Sequence, residues 1–438
     1  MAMSDGRPNI VLVTIDSLRA DYCGYIDDDS TATPTLDRLA EEGLAFETAI
    51  APGPSTPESM PAVFTGEYPV DGDENTLAAW RDRIRQHIRT RDPLASRLSR
   101  AGYETAAFTP NPFTSRHFAF DQGFDHFQDF MDGSRDGVYD RLFEGFLQGG
   151  SASSFVRVLV NFWRREEVFK SWERYYDEIL EWIAEAEEPY FLWVFLMDAH
   201  SPYLAGEGYR SQSRWKQFHA NYRFWRESHE TPFSPSVHDR LLTAYEDAVR
   251  YSDGFLARLR SDLADDPIIA VHGDHGEAFG EHGTYGHEPY LRSENVHVPL
   301  VVGNVPSGAV ASPYSLRRLP ELVTGLAARR NGVPDPWYAI SRSHQEDRLT
   351  VRTREWTFLH DSDEAIVHHR NGTKTSKSDE TGTMRSTVDT AGRGTPDSDG
   401  ANTERDALSS LGAVAETFAE SMRERQRVRD AAASEGER

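Results

Sequence analysis

Four histidines occupy the 16 positions from His272 to His287, in the runs His272-Gly273-Asp274-His275-Gly276-Glu277, Gly280-Glu281-His282-Gly283 and Gly286-His287-Glu288. Histidines this dense among glycines are poorly explained by packing, and point to metal ligation or proton transfer. Asp274 and His275 set a carboxylate beside an imidazole, a pair suited to a divalent cation. A second acidic position, Asp16, opens Asp16-Ser17-Leu18-Arg19-Ala20-Asp21 directly after the apolar run Ile10–Ile15. A carboxylate there serves equally as a hard-cation ligand or as a helix cap. The third segment is Pro54-Ser55-Thr56-Pro57-Glu58-Ser59-Met60-Pro61-Ala62-Val63-Phe64-Thr65-Gly66. Thr56 followed by Pro57 has the form of an N-cap and first helical residue, which puts a hydroxyl at the positive end of a helix, where anions bind. The same pattern also describes a plain helix start. Pro61 is expected to bend the helix.

These groups need elements that bring them together. Short apolar runs at Ile10–Ile15, Thr105–Phe108, Phe191–Met197, Ile268–Val271 and Leu300–Val302 read as buried strands. Helical spacing lies between them. Thr33-Pro34 opens one helix with Leu36, Leu39 and Ala40 on one face and Gly43 as its stop; Phe169–Ala186 and Leu241–Leu263 are others. The expected fold is therefore α/β, a mainly parallel central sheet with helices on both faces. Three of the strands run into aspartates, Asp16, Asp198 and Asp274, and ligand sites in such sheets lie beyond the carboxyl ends of the strands. Asn111 and Arg116, after the Thr105 strand, and Asp198 are candidates for substrate contacts.

Residues 1–335 form the expected catalytic domain, with insertions at about 133–168 and 204–235. The second insertion carries Tyr209, Trp215, Phe218, Tyr222 and Trp225, and is either a lid or a segment packing its own aromatics. Alternation from Arg348 onward predicts a small antiparallel β subdomain over 336–370. The Thr-, Ser-, Gly- and Asp-rich stretch 371–403 reads as a disordered linker, and 404–438 as a last helix with a charged tail.

The chain has 438 residues, 71 acidic against 47 basic, and a formal charge of −24. Its only lysines are Lys170, Lys216, Lys374 and Lys377. A lysine-poor acidic surface suits a high-salt cytosol, so halophilic origin is expected, and the charge argues against non-specific nucleic-acid or anionic-membrane binding. Cys23, the single cysteine, leaves no intrachain disulfide. The first apolar segment meets Asp16 and Arg19 too soon for a signal peptide or a membrane span, and a cytoplasmic location is expected.

Taken together and in order, these segments resemble the sulfatase / alkaline phosphatase superfamily, in its sulfatase-type members. Pro8–Asp21 is similar to the family's opening strand and metal aspartate, and Thr33–Ala40 to the helix that follows. The stretch ending Phe64-Thr65-Gly66-Glu67-Tyr68-Pro69 is similar to the nucleophile segment, and Gly273–Glu277 through Val298-Pro299-Leu300 to the second metal signature. The resemblance implies one divalent metal (Mn, Mg, Ca or Zn) held by Asp16, Thr56, Asp274 and His275. It implies Thr56 as nucleophile, with Ser55 as the alternative. His200, in Asp198-Ala199-His200-Ser201-Pro202-Tyr203, matches the histidine that contacts the ester's anionic oxygens. His287 stands where sulfatases often have lysine and phosphoester relatives histidine.

The chain also departs from the sulfatase pattern. In sulfatases a cysteine, or in some cases a serine, followed by proline and arginine is matured to formylglycine; this segment has no cysteine, and Met60 stands where the arginine is expected, which argues against formylglycine. Ser17 replaces the family's second aspartate. A threonine nucleophile resembles the phosphodiesterase and phosphoglycerol-transferase branches instead. The implied activity is cleavage or transfer of a sulfate or phosphate ester, on a small-molecule, glycan or lipid substrate, through a covalent Thr56 ester. Thr56, His200 and His287 would be the catalytic groups. The alternative of another class is an inactive metal- or anion-binding relative, against which stands the complete set Asp16, Thr56, His200, Asp274 and His275.

Overall fold

All six residues of Ile10–Ile15 are buried, so this strand must be covered on both faces. It pairs in parallel with Tyr190–Leu196 on one side (Ile10 opposite Phe191) and with Ile268–Gly273 on the other (Ile10 opposite Ile268). In this computed structural model the three strands are the middle of an eight-stranded sheet. Its order is Gly308–Val310, Leu44–Phe46, Leu300–Gly303, Ile268–Gly273, Ile10–Ile15, Tyr190–Leu196, Glu104–Phe108 and His126–Gln128. Leu300–Gly303 runs antiparallel to both neighbours, and every other adjacent pair is parallel. The structure describes residues 6–70, 77–131, 170–226, 233–287, 289–330, 332–333, 336–344, 348–361, 364–369, 375–378, 384–387 and 398–436.

Strand alternation divides the core in two. Val11, Val13 and Ile15 face Leu36, Leu39 and Ala40 of helix Pro34–Glu42, Ile179 of helix Tyr176–Glu185 and Leu241 to Leu259 of helix Pro235–Asp262. Ile10 and Leu12 belong to the opposite core, with Met60, Val63 and Phe64 of helix Thr56–Thr65, Leu98 of helix Leu94–Arg100 and Leu319, Leu322 and Val323 of helix Leu319–Ala327. The expected parallel sheet with helices on both faces is what forms. Strands of three residues towards its edges, Gly308–Val310, Leu44–Phe46 and His126–Gln128, carry too few positions for periodicity to mark.

Other elements differ from expectation. The Phe169–Ala186 segment is broken at Tyr175, with a 3-10 turn at Trp172–Arg174 before helix Tyr176–Glu185. The long helix starts earlier than Leu241, at Pro235 after Ser234. The insertion at 133–168 lies outside the described residues. That at 204–235 contains a 3-10 turn at Glu207–Tyr209 and helix Arg214–Arg226, whose Ala220 and Phe224 enter the first core. Among the described residues, no helix is long and apolar enough to cross a membrane.

A second, antiparallel sheet of six strands runs Ala339–Ser343, Arg348–Arg352, Trp356–Asp361, Glu364–His369, Thr375–Ser378 and Met384–Thr387, each beside the next. Two of these strands lie inside 371–403, which composition alone reads as a linker; pairing of Thr375–Ser378 with Glu364–His369, and of Met384–Thr387 with Thr375–Ser378, supplies what their weak hydrophobicity does not. Helix Ser398–Gly436 covers the sheet, burying Leu411, Ala415 and Met422 with Leu349, Val351 and Phe358. This layer is tied to the segment before the Thr56 helix. Ser341 Oγ donates to the Ala51 carbonyl (2.6 Å) and the Arg342 amide to the Pro52 carbonyl (2.9 Å).

At the far end of the Thr56 helix, Thr65 Oγ1 lies 3.0 Å from Nε2 of His87, a buried residue of helix Leu77–Arg89. Burial, helped by the nearby Arg91 charge, pushes the His87 imidazole down to about 3. A depressed imidazole contributes stability above its unfolded value and loses it as pH falls from about 6.5 towards about 3. His87→Gln keeps a partner for Thr65 but cannot titrate. We expect its stability, from urea unfolding at several pH values, to fall less steeply below pH 6.5 than wild type, by up to about 1.4 kcal/mol per pH unit.

Candidate active site

Asp16 and Asp274 follow neighbouring parallel strands and therefore emerge side by side at the same rim of the sheet. Both are fully buried, as is His275. The run from Gly273 to Gly276 is glycine-rich for steric reasons. A Cβ on Gly273 would lie 2.5 Å from the Leu18 carbonyl, and one on Gly276 would lie 2.1 Å from the Glu294 carbonyl. The loop can thus press against two other segments and turn Asp274 and His275 inward.

Helix Thr56–Thr65 supplies the hydroxyl. Ser55 is the N-cap and Thr56 the first helical residue, so the helix begins one position earlier than the sequence pattern suggests. Thr56 Oγ1 donates to Asp274 Oδ2 at 2.7 Å and lies 3.4 Å from His275 Nε2. Ser59, on the same helix, donates to the Asp274 carbonyl at 2.7 Å. The Ser55 hydroxyl, also buried, has no hydrogen-bond partner among the described residues. The helix runs on through Pro61 as a single element.

Asn111 enters the cluster from beyond strand Glu104–Phe108. Its Nδ2 donates to Asp16 Oδ2 at 2.8 Å and lies 3.4 Å from Thr56 Oγ1, while Oδ1 accepts from the Phe113 amide. Sequence analysis names Asn111 as a candidate substrate contact; what the structure shows is its hold on the Asp16 carboxylate. Ser17 does the same work from the chain itself. Its φ is +57°, a left-handed conformation unusual for serine, and this turns its amide to Asp274 Oδ1 (3.1 Å) while its hydroxyl donates to Asp16 Oδ1 (3.1 Å). Tyr245 donates to the Ser17 carbonyl at 2.7 Å and accepts from the Arg19 amide. Sequence marked Ser17 only as a missing aspartate, because its dihedral angles are invisible there.

His275 Nε2 lies 3.3 Å from Asp16 Oδ1 and 3.7 Å from Asp274 Oδ2. The His287 ring is centred 4.6 Å from that of His275 and 5.7 Å from that of His200. His287 Nδ1 is 3.0 Å from the buried carboxylate of Glu277. The structure thus brings Asp16, Thr56, Asn111, His200, Asp274, His275 and His287 into one neighbourhood.

Two expected residues are placed elsewhere. Arg116 reaches Asp129, Nε to Oδ2 at 3.0 Å, and donates to the Phe127 carbonyl. Asp198 turns towards the Trp172 amide and lies near Glu173, Tyr175 and Tyr251, with its Oδ2 buried and lacking a partner among the described residues. Residues at the same strand-end height face opposite sides of a pleated sheet according to parity, and only neighbours on the helix Thr56–Thr65 side meet the hydroxyl.

Burial pushes the Asp274 carboxyl up to about 7, and the Asp16 charge adds to this while His275 opposes it. Burial would raise Asp16 too, but the nearby imidazoles of His200, His275 and His287 hold it below the ordinary carboxylate range. Burial disfavours a charged His275, yet Asp274 and Asp16 raise it to about 10. For His200, burial wins and the imidazole is lowered. Among the described residues, no arginine or lysine pairs with either carboxylate.

Two desolvated carboxylates so close are costly unless a cation offsets them. Ligand atoms of Asp16, Asp274 and His275 lie within 4.8 Å of one another, and Thr56 Oγ1 adds a hydroxyl. Carboxylate, imidazole and hydroxyl donors gathered this way fit a divalent ion.

Fold and site together define an alkaline-phosphatase-like α/β protein with a hydroxyl set against an acid–imidazole cluster. The chain belongs to the sulfatase family, whose model matches residues 8–307. It is 22% identical over 369 residues to the multifunctional alkaline phosphatase superfamily protein PehA of Trinickia caryophylli, covering 68% of each chain. It is 32% identical over 99 residues to an arylsulfatase of Clostridium perfringens, a match spanning 23% of this chain and only 20% of that enzyme. Among solved structures, the phosphonate monoester hydrolase of Agrobacterium radiobacter superposes with a TM-score of 0.61 at 15% identity, covering 94% of this chain and 96% of that one. At that identity the likeness establishes the fold.

The left-handed Ser17 generates a stability prediction. Ser17→Gly keeps the amide to Asp274 and relieves the backbone, whereas Ser17→Val adds β-branching at positive φ and loses the hydroxyl. We expect Ser17→Val to be less stable than Ser17→Gly by about 2 kcal/mol in chemical denaturation.

Proposed function

We propose that this protein cleaves or transfers a phosphate or sulfate ester through Thr56, and that the phosphate side is favoured. The observation that carries the reading is Thr56 Oγ1, at a helix start, 2.7 Å from Asp274 and 3.4 Å from both His275 and Asn111. Ser55, the alternative, lacks such partners.

Asp16, Thr56, Asp274 and His275 would hold one divalent ion (Mn, Mg, Ca or Zn), which when bound lowers the hydroxyl's pKa and offsets charge on the ester oxygens. Thr56 Oγ1 attacks the phosphorus or sulfur, its proton moving along the existing hydrogen bond to Asp274 Oδ2. Asn111 Nδ2, 3.4 Å from Oγ1, orients the nucleophile. His200 and His287 contribute donors to the ester's outer oxygens, and one of them protonates the departing alcohol. The Thr56 ester is then released to water, or to an acceptor alcohol, with the proton transfers reversed.

Phosphate is favoured by the chemistry of threonine. A single hydroxyl leaves an ordinary ester that must be cleared by a second attack at phosphorus or sulfur. A formylglycine hydrate, by contrast, carries a second hydroxyl that can expel the anion, and 54–66 has neither a cysteine nor the arginine that accompanies such a residue, with Met60 in its place. The breadth implied by the name of the PehA relative agrees with a site that is not confined to sulfate. The substrate proposed is a small-molecule, glycan or lipid ester.

The test compares aryl phosphate, aryl phosphodiester and aryl sulfate hydrolysis in wild type, Thr56→Ala and Ser55→Ala, with metal content measured on each protein. Thr56→Ala should lose at least roughly 1000-fold in kcat while Ser55→Ala stays within about tenfold. Equal rates in Thr56→Ala and wild type would remove Thr56 from the chemistry. Asp274→Asn should purify with far less than the wild type's bound divalent metal, whatever its activity.

A further inference from the structure

Glu277 is fully buried two residues after His275, and both of its oxygens are occupied. Oε1 is 3.0 Å from His287 Nδ1, and Oε2 accepts from the Tyr203 hydroxyl at 2.9 Å. Tyr203 is itself fully buried and held through its backbone: its amide donates to Asn221 Oδ1 (2.7 Å), and its carbonyl accepts from Asn221 Nδ2 (3.0 Å). Asn221 is buried on helix Arg214–Arg226, the centre of the second insertion, and its Nδ2 also donates to the Gln217 carbonyl. The contacts therefore run without a gap from the insertion to His287.

We propose that Glu277 is a positioning residue that fixes His287 through its Nδ1–H, so that the proton given to the ester leaves from Nε2–H of the doubly protonated ring, and that Tyr203 and Asn221 hold Glu277 in place. A carboxylate can only accept, and the Tyr203 hydroxyl already donates to its other oxygen, so the His287 Nδ1 contact must be an N–H donor. A buried acceptor with two fixed donors has little freedom to move, and it sets the ring's plane as well as its tautomer. The second insertion thus acts on the chemistry from its interior, through a backbone clamp, while the aromatic Trp215 at the start of its helix is exposed. Tyr203 also meets Tyr245 edge-on at 5.3 Å, and Tyr245 supports Ser17, so one packed group steadies both the acid-cluster loop and His287.

This proposal rests on the reading of His287 as a proton donor to the departing alcohol, and its test separates the two. The first measurement is independent of catalysis. In histidine 15N spectra of the full chain in mildly alkaline buffer, with the His287 signals assigned by their loss in His287→Gln, Nδ1 should carry the proton in wild type. It should lose that preference in Glu277→Ala and retain it in Glu277→Gln, whose amide oxygen still accepts. An unprotonated Nδ1 in wild type, or one unchanged in Glu277→Ala, overturns the proposal.

The second measurement reads the leaving group. Glu277→Ala should lower kcat for an alkyl phosphate ester by roughly 100-fold with KM nearly unchanged, and for a nitrophenyl ester by no more than about threefold, because a good leaving group needs no proton. Tyr203→Phe should show the same selectivity at smaller size. An equal loss on both esters overturns the positioning role, since a merely structural defect does not discriminate leaving groups. Should wild type cleave neither ester, the reaction assignment fails while the 15N result still decides the orientation of His287.

Discussion

Two carboxylates, Asp16 and Asp274, are taken wholly out of water at one rim of the sheet, and the rest of the molecule is arranged around that cost. Like charges in a low-dielectric interior repel strongly and each forfeits its hydration. The structure offsets this with the imidazoles of His275, His200 and His287, with amide and hydroxyl donors from Ser17, with the Thr56 hydroxyl and with the Asn111 amide. Among the described residues, no arginine or lysine joins them. A site with this imbalance is built to receive a cation, and Thr56 stands where such a cation would be shared with a hydroxyl.

The architecture supplies rigidity for that arrangement. Parallel neighbours place both aspartates at the same height, and the buried helix Thr56–Thr65 brings its first residue to meet them. The antiparallel layer beyond Ala339 clamps the segment Ala51–Pro52 just ahead of that helix. Its main effect on the site is therefore through the helix start, since hydrogen bonds to Ala51 and Pro52 fix where the hydroxyl enters. The insertion at 204–235 reaches the opposite side of the same cluster through Tyr203 and Glu277. Elements far apart in the chain thus hold the Thr56 hydroxyl from one side and an imidazole from the other.

Membership of the sulfatase family leaves the reaction's finer features to this chain's own residues. Under the proposed mechanism, a threonine in place of a residue that matures to formylglycine would change how a covalent ester is resolved. Ser17, in place of a second aspartate, trades a charge for a strained turn that still feeds donors to both carboxylates. These substitutions keep the geometry of an ester-cleaving centre while lowering its negative charge by one.

Much of this was legible in the residues themselves. Apolar runs marked the five long strands to within about two residues, because a strand buried on both faces must be apolar at every position. That Asp16, Thr56, Asp274 and His275 meet was legible because strand ends, a helix start and a glycine-rich loop each leave a local signature. Other features were decided only by tertiary structure. Asp198 follows its strand much as Asp274 does, yet it turns to the Trp172 side, since side-chain direction depends on pleat and packing. The strands at Thr375–Ser378 and Met384–Thr387 exist through pairing that composition does not encode. Ser17's left-handed turn and the Asn221–Tyr203–Glu277–His287 contacts join residues through space, and sequence order carries no record of such distances.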